Sequence, residues 1–198
     1  MKFRALLLDF GGVLSPNGLP GEGLDRLLQN LDVEPALEHY EQLRLLLDRL
    51  KINELTNRKF WQEFAEHHKK QIPSDIESVW KTDFPMHKKL LSYLKKVKAQ
   101  GLTIAILSNV NAPVRQHLID LGAYEGYDHL FLSDELGMAK PDPRIFEHAL
   151  QKMGVDSQET VFVDDQARNI EAAEKLGMTV ILAVNEEQII RELKSLLE

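Results

Sequence analysis

The sequence predicts an α/β protein: a doubly wound parallel sheet with a small all-helical insertion after its first strand. Three observations predict it. Short apolar runs at residues 5–8, 103–107, 130–132, 160–163 and 179–183 are continuous rather than alternating, as expected of strands buried on both faces. Amphipathic stretches lie between the later runs, and most are closed by a glycine. Residues 15–85 contain no strand-like run at all.

In chain order, the run at 5–8 is the first strand and ends in Asp9-Phe10-Gly11-Gly12-Val13. Ser15-Pro16-Asn17-Gly18-Leu19-Pro20-Gly21 is rich in chain breakers and reads as a linker or hinge. Leu43, Leu46, Leu47 and Leu50 mark one helical stripe, and Phe60, Trp61 and Phe64 begin another behind a cap at Thr56. Ser74-Asp75-Ile76-Glu77 has the spacing of a capping box. These stripes read as the packed core of a helical insertion over residues 18–83, leaving residues 1–17 and 84–198 for the sheet domain. Helices follow at 86–100, 113–121, 141–153 and 167–176, with Gly101, Gly122, Gly154 and Gly177 at the left-handed position that closes each. Pro113 suits a first helical turn, where its missing N–H leaves nothing unpaired. The acidic C-terminal helix at 186–198 covers the sheet.

The 198 residues allow one full core, or a core with a modest insertion, and the 43% apolar and 28% charged content excludes wholesale disorder. The net charge of −7 is spread over interspersed acids and bases. Nucleic acid and membrane surfaces both need a clustered positive field, so neither is an expected partner. The absence of cysteine excludes disulfides, thiolate nucleophiles and Cys-based metal sites. Four apolar residues before Asp9 are too few for a signal peptide, and no run approaches a membrane span. The expectation is a cytoplasmic protein; monomer and homodimer are both compatible with the sequence.

In open α/β sheets, ligands bind beyond the carboxyl ends of the strands. Asp9 ends the first strand, Ser108-Asn109 the second, and Asp164-Asp165 the fourth, while Gly137-Met138-Ala139-Lys140-Pro141 follows the third. A carboxylate beside Gly11 and Gly12 can act as a nucleophile, with backbone amides free to approach a bound anion. Hard oxygens from Asp9 and Asp165, with a main-chain carbonyl, suit Mg²⁺. Metal and Lys140 would offset the repulsion between an anionic nucleophile and a phosphoryl group, and Ser108 could hydrogen-bond a transferring oxygen. Taken singly, each residue has a plainer reading. Asp164-Asp165 can cap the helix that starts near Gln166, Lys140 can be a solvated surface lysine, and Ser108-Asn109 can be ordinary loop chemistry. Their arrival at one edge carries the site.

The order Asp-x-x-Gly-Val-Leu, Ser-Asn, Lys-Pro-Asp-Pro-x-x-Phe and Val-Asp-Asp-x-x-x-Asn spans residues 9–169 and resembles the haloacid dehalogenase superfamily of hydrolases. The resemblance implies a Rossmann-like core, a C1-type cap for the insertion, and Asp9 as the nucleophile that forms an aspartyl-phosphate. It implies phosphoryl contacts from Ser108 and Lys140, with Gly11, Gly12 and Asn109 lining the same phosphate site. Mg²⁺ would be held by Asp9, the Gly11 carbonyl and Asp165, with Asp164 behind them or as a further ligand. The substrate would then be a small phosphorylated metabolite.

Gly11 departs from the pattern, because the family's phosphatases carry there a second aspartate as general acid–base. That role is worth about 10²–10⁴-fold in rate. Three readings follow. The preferred one is a phosphatase for esters with good leaving groups, or one whose acid comes from water, the substrate, or cap histidines among His39, His67 and His68, each of which also suits a surface or packing role. The second is a 2-haloacid dehalogenase, whose family branch also lacks that aspartate but needs no metal, whereas paired Asp164-Asp165 favours one. The third is a catalytically weakened phosphate- and metal-binding regulatory module. A receiver-like module would lack the helical insertion, and a dinucleotide site would need a Gly-x-Gly-x-x-Gly turn that Asp9-Phe10-Gly11-Gly12 does not supply.

Overall fold

The computed structural model describes residues 2–16, 25, 27–29, 31–81 and 83–198. The chain runs through β1 (Ala5–Leu8), α1 (Leu37–Leu50), α2 (Asn57–His68), α3 (Lys88–Ala99), β2 (Thr103–Ser108), α4 (Ala112–Asp120) and β3 (His129–Leu132). It continues through the single turn α5 (Ser133–Leu136), then α6 (Pro143–Met153), β4 (Thr160–Asp164), α7 (Ala167–Lys175), β5 (Thr179–Leu182) and α8 (Glu186–Leu197). The strands form one parallel sheet in the order β3-β2-β1-β4-β5. This is the predicted doubly wound α/β architecture, with β1 at its centre.

Side chains alternate between two apolar cores. Leu6, Leu8, Ile104, Ile106, Val161 and Val163 face one, which is closed by Leu90 and Leu94 of α3, Val114 and Leu118 of α4, and Ile189 and Leu193 of α8. Leu7, Ala105, Leu107 and Phe162 face the other, closed by Ile145, Phe146 and Ala149 of α6 and Ala173 of α7. Covering on both faces is the physical reason these strands read as unbroken apolar runs. Ser108 and Asp164 extend β2 and β4 beyond the expected ends, because the ladder continues through Ser108–Leu132 and Asp164–Leu182.

The segment without strands carries α1, α2 and a 3₁₀ turn among its described residues, joined by turns and coil. Thr56 caps α2 by accepting from Lys59 N at 3.3 Å. Leu43, Leu46, Leu50, Phe60, Trp61 and Phe64 are buried and join the same core as the first face of the sheet. The capping box expected at 74–77 does not form: Ile76–Trp80 is a 3₁₀ turn with no side-chain cap. Glu77 instead accepts from Asn57 Nδ2, and Trp80 Nε1 donates to Asn57 Oδ1 at 2.9 Å, so the turn is held by the start of α2. Of the breaker-rich segment, residues 17–21 lie outside the described residues. α1 and α2 run antiparallel, with Arg49 paired to Glu63 near one end and His39 against His68 at the other. Their connecting loop meets the end of α5, since a Cβ on Gly137 would lie 3.9 Å from the Ile52 carbonyl oxygen.

Candidate active site

Asp9 is the first residue beyond β1, and its N–H still donates to the Val163 carbonyl at 2.9 Å, so the central strand pairing fixes its backbone. The chain then doubles back: Phe10 O accepts from Leu14 N and Ser15 N, and Gly12 N donates to Ser15 O at 2.7 Å. Gly12 adopts φ +75, and a Cβ there would lie 2.5 Å from the Asp165 carboxyl. Both the backbone conformation and the close approach demand glycine. The turn therefore presses directly on the acidic end of β4.

Lys140 is 1% exposed, and its Nζ lies 2.8 Å from Asp9 Oδ1 and 2.6 Å from Asp164 Oδ2. The other oxygen of fully buried Asp164 accepts from Gln166 N at 2.8 Å and from Asn169 Nδ2 at 2.9 Å. Asp164 thus braces the start of α7 and the lysine together, and both of its oxygens are engaged. Asp165 differs: its Oδ1 is buried with no hydrogen-bond partner. One oxygen each from Asp9, Asp164 and Asp165 lie within 4.8 Å of one another. Three carboxylates around one ammonium leave an excess of negative charge, and the donor set is hard oxygen, so these residues fit Mg²⁺.

The electrostatics follow from burial. Desolvation pushes the Asp9 carboxyl up to about 7 against the pull of Lys140, and Asp164 adds to the rise. Burial acts against the Lys140 ammonium, but Asp9 and Asp164 hold it above its ordinary value. Asp165 is raised by burial and by its neighbour Asp164, with Lys140 opposing. Burial also raises the Tyr124 phenol, which packs edge-on against Phe10 at 5.6 Å, next to the turn that follows Asp9.

The sheet brings the expected residues to one edge. Ser108 is buried at the end of β2, beside the strand that carries Asp9. Asn109 spends its side chain on the main chain of Lys140, donating to its carbonyl at 2.8 Å and accepting from its N–H at 2.9 Å. It positions the lysine. His39, His67 and His68 gather with one another, at ring distances of 4.6 and 4.9 Å, at the end of the α1–α2 pair remote from Gly137. His39 and Leu50 of α1 are eleven positions apart, about 16 Å of helix. Sequence reasoning assigned no role to Asn169, which orients Asp164, or to Ser133, whose Oγ accepts from Val110 N and donates to Val110 O. Asn169 lay inside the Val-Asp-Asp-x-x-x-Asn motif, one helical turn beyond the aspartates, and that spacing was a usable signal. Ser133 had none.

A parallel sheet with a buried carboxylate, a buried lysine and an acidic pair at its carboxyl edge has the groups of a hydrolase-type site. The chain belongs to the haloacid dehalogenase-like hydrolases, matching that family over residues 3–177. It is 34% identical over 91 residues to the sesquiterpene phosphatase astK of Aspergillus oryzae, a match covering 46% of each chain. It is also 34% identical over 89 residues to (S)-2-haloacid dehalogenase 4A of Burkholderia cepacia, covering 44% of this chain and 38% of that one. The matches thus span less than half the length of these relatives. Among solved structures, a predicted HAD-like family hydrolase from Porphyromonas gingivalis superposes with TM-score 0.81 at 23% identity, covering 100% of this chain and 99% of that one. A HAD family enzyme from Bacteroides thetaiotaomicron, solved with magnesium and inorganic phosphate, superposes with TM-score 0.73 at 24% identity over 90% and 93% of the two chains.

Proposed function

We propose that this chain is a magnesium-dependent phosphatase of small phosphate monoesters, acting through an aspartyl-phosphate on Asp9, with the insertion over residues 18–83 as its cap. The observation that carries this reading is Asp9 held by buried Lys140 beside an Asp165 oxygen that has no partner. Asp9, the Gly11 carbonyl and Asp165 would hold Mg²⁺, which when bound offsets the negative charge gathered at the site. Asp164, with both oxygens engaged, holds Lys140 in place.

Lys140 takes Asp9 Oδ1, which leaves Oδ2 to attack phosphorus in line. The P–O bond to the leaving group breaks, and that oxygen takes a proton from solvent. Lys140 and Ser108 stabilise the equatorial oxygens, with the Gly11 amide facing the same phosphate, while the Gly12 amide is held by the Ser15 carbonyl. Water then attacks the phosphorus, the bond to Asp9 breaks, and inorganic phosphate leaves. With no acid at Gly11, esters of acidic leaving groups turn over fastest. Gly11 itself, and the likeness to a haloacid dehalogenase, favour halide displacement by the same Asp9 as the second reading.

The test is phosphate release from aryl and alkyl monoesters, with and without Mg²⁺, beside Asp9→Asn. Magnesium-dependent release from aryl esters, lost in the variant while its fold persists, is the expected result. Release that survives Asp9→Asn removes the covalent mechanism. No release from any ester, with halide freed from 2-haloacids, establishes the second reading instead.

A further inference from the structure

The outer end of the α1–α2 pair carries three histidines that the phosphatase reading does not use. His39 near the start of α1 and His68 at the end of α2 touch edge to face with ring centroids 4.6 Å apart, and His67 touches His68 at 4.9 Å. Together with Asp32, Glu34 and Lys70 they line a cleft of about 420 Å³.

Three features favour a cation there. His39 Nδ1 lies 2.8 Å from the Glu34 carbonyl, which can only accept, so Nδ1 carries a proton and Nε2 is the ring nitrogen turned away from the backbone. Metal-binding imidazoles are fixed in the same manner, by a carbonyl behind the other ring nitrogen. His68 Nε2 is buried with no hydrogen-bond partner, and burial, then His39 and His67, hold this ring below its ordinary value, in its neutral, ligating form. The surrounding charge is acidic. Glu38 lies 3.5 Å from His39 Nε2, Asp32 and Glu34 line the cleft, and Lys70 is paired to Asp32 at 2.8 Å. The carbonyl end of the twelve-residue α2 points the same way, and its dipole favours positive charge.

We propose that His39 and His68 bind one divalent transition-metal ion of the zinc class, with water completing the shell. Imidazole nitrogens select such ions over Mg²⁺, which belongs to the carboxylates at the sheet edge. Binding turns the rings from edge contact until both Nε2 atoms face the ion. Because about 16 Å of helix separates His39 from the sheet-facing end of α1, the two metal sites are independent.

Calorimetric titration of the full chain with Zn²⁺ in excess Mg²⁺ tests this. One equivalent is expected in the native chain and in Asp165→Asn, and it is lost in His39→Gln and in His68→Gln. No saturable uptake by the native chain, or uptake unchanged in either histidine variant, overturns the proposal. Imidazole NMR signals give a second readout that needs no variant. The His39 and His68 ring resonances of the native chain shift on adding Zn²⁺, and resonances that stay in place overturn it even where a variant fails to fold.

Discussion

The carboxyl edge of the sheet and the outer surface of the α1–α2 pair both pair opposite charges at about the same distance, and the pairs are worth very different amounts. Lys140 meets Asp164 at 2.6 Å and Asp9 at 2.8 Å with almost no solvent access. Arg49 meets Glu63 at 2.7 Å with both side chains more than 40% exposed. Water and salt screen the second pair, and holding two long side chains still offsets most of its attraction. The first has no solvent to fall back on, so losing one partner strands the others in a low-dielectric interior. Distance alone does not rank these contacts; burial does.

The strongest way to break this comparison is Lys140→Ala. It leaves Asp9 and Asp164 facing each other uncompensated, and a loss of about 3–5 kcal/mol in the denaturant-unfolding free energy is expected, together with loss of turnover. A loss no larger than that of an exposed pair would show that water enters the edge.

Burial governs an uncharged acid in the same way. The Tyr127 hydroxyl is buried with no hydrogen-bond partner, and burial pushes its phenol from 10.0 up to about 12. The unfolded chain releases that proton first, so the stability held below pH 10 falls as the pH rises towards 12, by ~2–3 kcal/mol. Tyr127→Phe should match the native chain at neutral pH and lose less stability in alkali, read from denaturant midpoints across that range.

Gly12→Ala sharpens the comparison at backbone level. The left-handed conformation adds about 1–2 kcal/mol of strain. The new methyl also displaces the Asp165 carboxyl that it would otherwise meet at 2.5 Å. A raised Mg²⁺ requirement for phosphate release is the accompanying kinetic sign. The smallest effect belongs to Arg49→Ala, which should leave the thermal midpoint unchanged within error; a clear drop would mean that the surface pair does more than its exposure allows.

Much of the fold was legible because buried parallel strands and glycine-closed helices leave local marks. Gly154 closes α6 in the left-handed conformation, as its position required. Pro113 lies in the first turn of α4, and Asn111 caps that turn by accepting from Val114 N. The Ser74–Glu77 spacing misled because a capping box is only a local preference, and Asn57 competes for Glu77 from another helix. The site residues were legible as strand ends, but their division of labour was not. Asp164 and Asp165 are neighbours of the same type, and only packing makes one a saturated support and leaves the other an unpartnered oxygen.

The sequence by itself determined the sheet class, the helical character of the segment after the first strand, and which side chains end each strand. Those properties follow from periodicity and turn chemistry within a few neighbouring residues. Tertiary structure alone decided that Lys140 is buried between two carboxylates, that Asn109 clamps its backbone, and that three histidines meet at the far end of the helix pair. Each of these depends on residues 24 to 131 positions apart in the chain, brought together only by folding.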